Sequence, residues 1–287
     1  MHLPGNDYFR VTANEQLFLF YQNSEKRPFN ISNELRYSIF NYYGYRLGAS
    51  LEPWVDLQRV TNIISINYRF LNNTFLSIKI PYVKLDGWAS NYGLSDIFIG
   101  IHYLIKQFPV NNVVISSGVK LPVGYYKYIL DTIPLGTGSY DLPILITNSF
   151  KINGFDIITD IGYIFNGKSD MLILPQLNKI NQDLERLYGT NSFEQNNGDE
   201  IVADLAIIKQ FEQLVVMLEM NYSYIFHTYL VNADVIWGHN HSKLNITPII
   251  LINKLENVKF EIGLSYDLYG KNIFCGYSPI FRIHFSK

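Results

Sequence analysis

Charged side chains recur at every second position within segments that are otherwise greasy. By that alternation, Glu34, Arg36, Glu52, Arg69, Lys79, Asp96, His102, Lys120, Asp141, Asp156, Asp160, Asp204, Glu219, Lys259, Glu261, Asp267, Arg282 and His284 fall on the polar faces of their segments. Both signs occur on neighbouring segments. Such charges can pair across a ladder and hold a hydrated interior in shape, or line a polar path that selects a solute.

Other chemistry is weaker. His239-Asn240-His241, with His227 and Asp234 nearby, could turn two rings the same way toward a transition metal. No Cys or Glu lies close enough in sequence to complete the site, so a loop with exposed histidines is the expected reading, with no metal and no cofactor. Ser242 stands beside His241, but adjacent residues of a strand point to opposite faces and cannot easily form a nucleophile–base pair. There is no Gly-x-Ser-x-Gly motif and no phosphate loop, so enzymatic activity is not expected. The lone Cys275 cannot form an intramolecular disulfide and reads as a buried or lipid-facing small residue.

The elements that must carry these residues are strands. In residues 62–70, Ile64, Ile66, Tyr68 and Phe70 share one face, while Ser65, Asn67 and Arg69 share the other. Residues 216–226 repeat the pattern, with Val216, Leu218, Met220, Tyr222, Tyr224 and Phe226 set against Met217, Glu219, Asn221 and Ser223. Fourteen such segments are predicted, near 14–23, 32–42, 45–57, 60–71, 74–85, 94–107, 112–123, 138–152, 155–167, 199–211, 214–227, 242–254, 258–270 and 276–286. Pro81, Pro122, Pro143 and Pro248 fall within them, at strand ends or bulges, because proline cannot donate to a ladder.

Composition narrows the class. Of 287 residues, 48% are hydrophobic, 15% aromatic and only 17% charged, where a soluble domain has about a quarter charged. No apolar run approaches the ~18 residues of a spanning helix. A net charge of −2 gives no reason to expect nucleic acid as a partner. No secretory signal precedes His2-Leu3-Pro4-Gly5, so a mature or trimmed form is expected.

Links between the segments alternate in length. Tyr43-Gly44, Asn72-Asn73, 108–111, Asn153-Gly154, Glu212-Gln213 and 255–257 are tight; 24–31, 86–93, 124–137, 168–198 and 228–241 are long. Outer-membrane barrels are built this way, with short periplasmic turns and longer outer loops. The expected fold is therefore all-β: one closed antiparallel transmembrane barrel over 1–287, of fourteen strands or, if the first pair is irregular, twelve. Residues 1–13 would be a short periplasmic or lumenal segment. Loop 168–198 would carry an amphipathic helix over or into the mouth, with Leu177, Ile180, Leu184 and Leu187 at helical spacing after Pro175. Aromatic girdles would include Tyr37, Trp54, Tyr68, Tyr82, Tyr103, Tyr163, Tyr224, Tyr266 and Phe285.

A series of short motifs carries a family resemblance. Tyr68-Arg69-Phe70, Ile78-Lys79-Ile80-Pro81-Tyr82-Val83 and Gly93-Leu94-Ser95-Asp96 are followed by Gly118-Val119-Lys120-Leu121-Pro122-Val123-Gly124 and Leu135-Gly136-Thr137-Gly138-Ser139-Tyr140-Asp141. Gly162-Tyr163-Ile164-Phe165-Asn166-Gly167 and Asn197-Gly198-Asp199-Glu200 complete the series. In order and spacing, over about 60–210, they resemble the MetA-pathway of phenol degradation family of outer-membrane barrels. The resemblance implies a transporter similar in general idea to the FadL fatty-acid channel. It also implies sideways exit of greasy solutes through kinks in the wall. The expected function is a channel in the Gram-negative outer membrane for passive uptake of small solutes, hydrophobic or aromatic ones included. Its expected partners are outer-membrane lipid and the solute, with an oligomer left open. The alternative is a structural or surface-interaction barrel with a plugged lumen inside a larger assembly.

Overall fold

Alternation over ten or more residues leaves each segment with one face that shuns water and one that seeks it, so the sheet they form must wrap one face inward. The computed structural model describes residues 29–44, 57–87, 90–107, 111–124, 135–172, 192–227, 229–230, 235–236, 240–253, 257–271 and 273–286. Twelve strands form a ring: β1 (Phe29–Gly44), β2 (Leu57–Leu71), β3 (Thr74–Asp86), β5 (Ile97–Gln107), β6 (Asn111–Leu121), β7 (Asp141–Ile152), β8 (Phe155–Asn166), β11 (Glu200–Gln210), β12 (Leu214–Ile225), β15 (His241–Ile252), β16 (Val258–Lys271) and β17 (Ile273–Ser286). All pairings are antiparallel. β1 closes the ring by pairing with β2 on one side and β17 on the other. β4 (Asn91–Leu94) is not one of these twelve; it pairs with the far end of β3, on the edge that β5 occupies nearer the start of β3.

The ring thus has twelve strands, not fourteen. The segment predicted over 14–23 lies outside the described residues, as does most of 45–57. Both edges of β1 are occupied, so no further strand fits beside it. Tyr43-Gly44, read as a turn, is strand instead: Tyr43 pairs with Phe274 and Gly44 with Ile273. Moving the link to 45–56 keeps the alternation of long and short connections. The tight turns after β2, β7 and β11 all gather at one end. There Asn153 and Gly154 both take positive φ (51° and 76°), as an Asn-Gly hairpin demands. The start of β1 and the end of β17 meet at this same end. At the other end a four-stranded sheet, β9 (Lys168–Leu172), β10 (Ser192–Asn196), β13 (Tyr229–Leu230) and β14 (Val235–Ile236), continues β8, β11, β12 and β15 in the same order. The helix predicted within 168–198 lies outside the described residues.

The faces divide as alternation requires. Ile64, Ile99, Ile115, Ile144, Ile146, Ile161, Ile207, Ile250 and Ile262 are exposed on the outside of the ring, whereas Ser65, Ser116, Thr147, Asp160 and Glu261 are buried within it. Exposed aromatics flank this aliphatic band. Tyr68, Tyr103, Phe155 and Phe285 lie toward the short turns, and Tyr82, Tyr222, Tyr266 and Tyr277 toward the long loops. Trp54 lies outside the described residues. Water would not tolerate such a continuous oily exterior, but a bilayer requires one, with every strand doubly paired. The chain is a bacterial outer-membrane β-barrel, and barrels of this class carry their short turns on the periplasmic side.

Proline positions coincide with breaks in the ladders. Pairing of β6 with β7 skips the rungs opposite Leu142 and Pro143, and pairing of β15 with β16 skips those at Thr247 and Pro248. Hydroxyls bridge two such breaks: Ser117 Oγ donates to the Pro143 carbonyl at 3.0 Å, and Ser278 Oγ to Ser38 Oγ at 2.8 Å beside Pro279.

Ile146 sits mid-strand on the outer face. Ile146→Arg should weaken folding into lipid bilayers by about 2–4 kcal/mol, the cost of a cation at the midplane. Denaturant titration of bilayer-folded protein measures this, and a change well under about 1 kcal/mol would show that the face does not meet hydrocarbon.

Candidate functional site

Two polar constellations occupy the inner face. The first is at mid-height. Glu34, Lys79, Asp160 and Glu219 each stand five residues after the first described residue of their strands, Phe29, Thr74, Phe155 and Leu214. Around the ring β8, β11 and β12 stand opposite β1, β2 and β3. Asp160, its ladder partner Asp204 and Glu219 therefore form an acidic arc. It faces a wall bearing Arg36, Lys79 and Arg282.

On that wall the charges are tightly paired. Glu34, Arg282 and Glu261 are consecutive ladder partners on β1, β17 and β16. Arg282 donates from Nε to Glu34 Oε2 at 2.9 Å, from Nη2 to the same carboxylate, and from Nη1 to Glu261. Arg36 Nε reaches Glu34 Oε1 at 3.0 Å, and His284 Nε2 lies 3.0 Å from Glu261 Oε2. A guanidinium shared between two carboxylates satisfies its donors in a fixed plane, which suits arginine and not lysine.

The second constellation lies at the outer end and gathers most of the family-like motifs. Asp96 sits at the break between β4 and β5, where the Ser95 amide donates to the Pro81 carbonyl at 2.9 Å. Its carboxylate accepts from the Thr137 amide at 2.7 Å, Thr137 Oγ1 at 3.1 Å and the Gly124 amide at 3.3 Å, so both ends of the 125–134 connection hang on one side chain. Lys120 Nζ is ion-paired with Asp141, lies 3.8 Å from Asp96 and donates to Thr137 Oγ1. Asp141 accepts from Ser139 Oγ at 2.7 Å and the Gly167 amide at 3.0 Å, and Asn197 Nδ2 donates to Ser139 Oγ at 3.0 Å. Next to it, Asp199 accepts from the Tyr163 hydroxyl at 2.7 Å and the Asn166 amide at 3.0 Å. Gly198 has φ +70° and a Cβ there would meet the Phe226 carbonyl oxygen at 2.4 Å, so only glycine fits. This is a latch that ties loop ends to the wall.

Of the residues singled out by alternation, Glu34, Lys79, His102, Asp156, Asp160, Glu261, Asp267, Arg282 and His284 are buried on the inner face, and Arg36, Arg69, Asp204, Glu219 and Lys259 half-buried. Glu52 lies outside the described residues. Asp96 is in no strand, and with Lys120 and Asp141 it belongs to the latch. Arg69 lies over the Phe75 ring, 4.9 Å from its centroid, and Asp267 pairs with Lys243 at 3.0 Å. His102 bridges two hydroxyls, Nε2 to Ser77 Oγ and Nδ1 to Ser116 Oγ, each at 2.8 Å. His239 and Asp234 of the histidine cluster lie outside the described residues, and His241 and Ser242 are both buried. Cys275 is buried. Alternation missed Thr137, Ser139, Asn197 and Asp199, which are uncharged or lie in connections, although all four stand in the motifs.

Removing one member of a buried ion cluster strands the others. Lys120→Ala should destabilise the folded barrel by about 3–5 kcal/mol, read from the denaturant midpoint, whereas Lys151→Ala, whose ion pair with Asp156 is exposed on the lysine side, should shift it by about 1 kcal/mol or less.

Comparison with known proteins bears on this geometry. The fold is similar to that of an outer membrane channel from Pseudomonas putida F1 (TM-score 0.74, 10% identity, covering 91% of this chain and 96% of that one). It is also similar to the NanC porin (TM-score 0.50, 8% identity, 89% and 97%) and to the translocator domain of the autotransporter NalP from Neisseria meningitidis (TM-score 0.50, 8% identity, 97% and 97%). No curated protein matches the sequence. Residues 44–282 match the family model described as MetA-pathway of phenol degradation, and the chain belongs to that family.

Proposed function

We propose that the protein is an outer-membrane channel through which small solutes pass passively, without cofactor or energy coupling. One observation carries the reading: an acidic arc on β8, β11 and β12 stands across the ring from β1, β3 and β17, whose inner faces bear Arg36, Lys79 and Arg282. Opposed rows of fixed charge set a field across the path and orient dipolar or charged solutes within it. The channel named among the structural relatives and the porin beside it support a conducting role. Glu34, Arg36, Lys79, Asp160, Asp204, Glu219, Glu261 and Arg282 would line the solute path. Small hydrophobic or aromatic molecules remain the proposed solute class, since Phe98, Leu145, Ile164 and Val202 form a buried apolar cluster in the wall.

Purified protein in planar bilayers should give discrete conductance steps. Replacing the arc by Asp204→Lys with Glu219→Lys should move the reversal potential in a salt gradient toward anions, a severalfold fall in cation-to-anion permeability. Silence from a correctly folded barrel would remove the channel reading.

A further inference from the structure

Arg69 stands two residues before the end of β2 at Leu71, on the inner face near the short-turn end. Among the described residues no group accepts a hydrogen bond from its Nε or its Nη2, although both nitrogens are buried. The Phe75 ring holds the charge, with its centroid 4.9 Å from Cζ, but a ring face is no substitute for a hydrogen-bond acceptor. Donors kept from both water and protein are costly to a fold, and each calls for a reason. Nε and Nη2 share one edge of the guanidinium. That edge presents two parallel N–H bonds at the spacing of the two oxygens of a carboxylate.

Ladder register gives the edge its surroundings. Arg69 pairs with Phe75, and Asn67 with Ser77. One strand further, Phe75 pairs with His102, and His102 with Ser116. None of these neighbours is a carboxylate, whereas Arg36 and Arg282 both reach Glu34. Phe75, Leu104 and Val114, each at most 2% exposed, make the ground apolar, so a charge pair formed here is strengthened by a low local dielectric. A hydroxyl is also at hand. His102 joins Ser77 Oγ through Nε2 and Ser116 Oγ through Nδ1, each at 2.8 Å. A neutral imidazole donates from one nitrogen and accepts at the other, so one of the two hydroxyls receives the ring's proton and keeps its own to give. With the proton on Nε2 that hydroxyl belongs to Ser77, the diagonal neighbour of Arg69 across the ladder.

We propose that Arg69 is a carboxylate-binding site at the short-turn end of the bore, and that the solutes of this channel are small monocarboxylates with an apolar body. Nε and Nη2 take the two carboxylate oxygens, Phe75 backs the guanidinium, and Ser77 donates to one of the same oxygens. The fork geometry selects a carboxylate by shape as well as by charge, which a lysine in this place would not do. The solute assignment rests on the channel reading and names the polar end of the molecules it admits. The binding itself does not depend on conduction.

Benzoate serves as the probe, with benzamide as its uncharged counterpart and inorganic phosphate as an anion without an apolar body. Titration calorimetry on the full chain, folded in detergent micelles, should show benzoate bound more tightly than either by roughly tenfold or more, the worth of a charge-assisted hydrogen bond. Arg69→Gln should weaken benzoate by a similar factor and leave benzamide unchanged. Arg69→Lys, which keeps the charge but not the fork, should weaken it severalfold, and so guards against a glutamine variant that fails to fold. Equal affinity for benzoate and benzamide, or benzoate binding unchanged in the Arg69 variants, overturns the site. Phosphate bound as tightly as benzoate overturns the solute class. A barrel that binds benzoate through Arg69 yet gives no conductance steps in planar bilayers keeps the site and loses the channel. One that conducts yet binds no benzoate loses the site and keeps the channel.

Discussion

A backbone amide without a partner costs several kcal/mol in hydrocarbon, and that penalty organises this molecule. It forbids an edge, so β1 must find β17. Closure in turn forces the faces apart, since a ring has only an outside and an inside. The outer face then belongs to Ile64, Ile146 and Ile262, and the inner face to Glu34, Asp160 and Glu261. Once the charges are inside, they must be satisfied there, which the shared guanidinium of Arg282 does for two carboxylates at once.

The same penalty explains where the wall is mended. Prolines remove donors, and hydroxyls from Ser117 and Ser278 supply bonds near the resulting gaps. Where β4 parts from β5 the repair is larger. Asp96, turned into the break, collects two amides and a hydroxyl, and Lys120 neutralises it together with Asp141. The polar end of the wall is therefore held by connections, not by ladder alone.

Much of this was legible in the chain because a period of two is unambiguous when the faces differ. The strands ending at Leu71 and beginning at Leu214 show it plainly. Legibility failed where the signal is not local. Gly44 after two tyrosines looked like a turn, but its pairing with Ile273 is fixed by a strand far away in sequence. The latch joins residues from Asp96 to Asp199, and nothing in their separate surroundings reveals that they meet. The buried apolar cluster of Ile158, Ile208, Met217, Ile249 and Leu251 was hidden for a different reason. Around Ile208 and Ile249 both faces are greasy, so alternation of polarity vanishes where alternation of direction continues.

The seam between β1 and β17 also bears on how the barrel assembles. Most rungs join strands that follow one another closely, but Glu34 and Arg282 are 248 residues apart. Bringing distant segments together costs entropy that grows with the logarithm of their separation, and such contacts form late. Until they do, a growing sheet presents two raw margins to the bilayer. The buried guanidinium cluster sits on this last junction, where a multivalent, geometrically exacting contact favours the correct register over a slipped one. Ion pairing here serves as the clasp that fixes which rung meets which when the cylinder finally shuts.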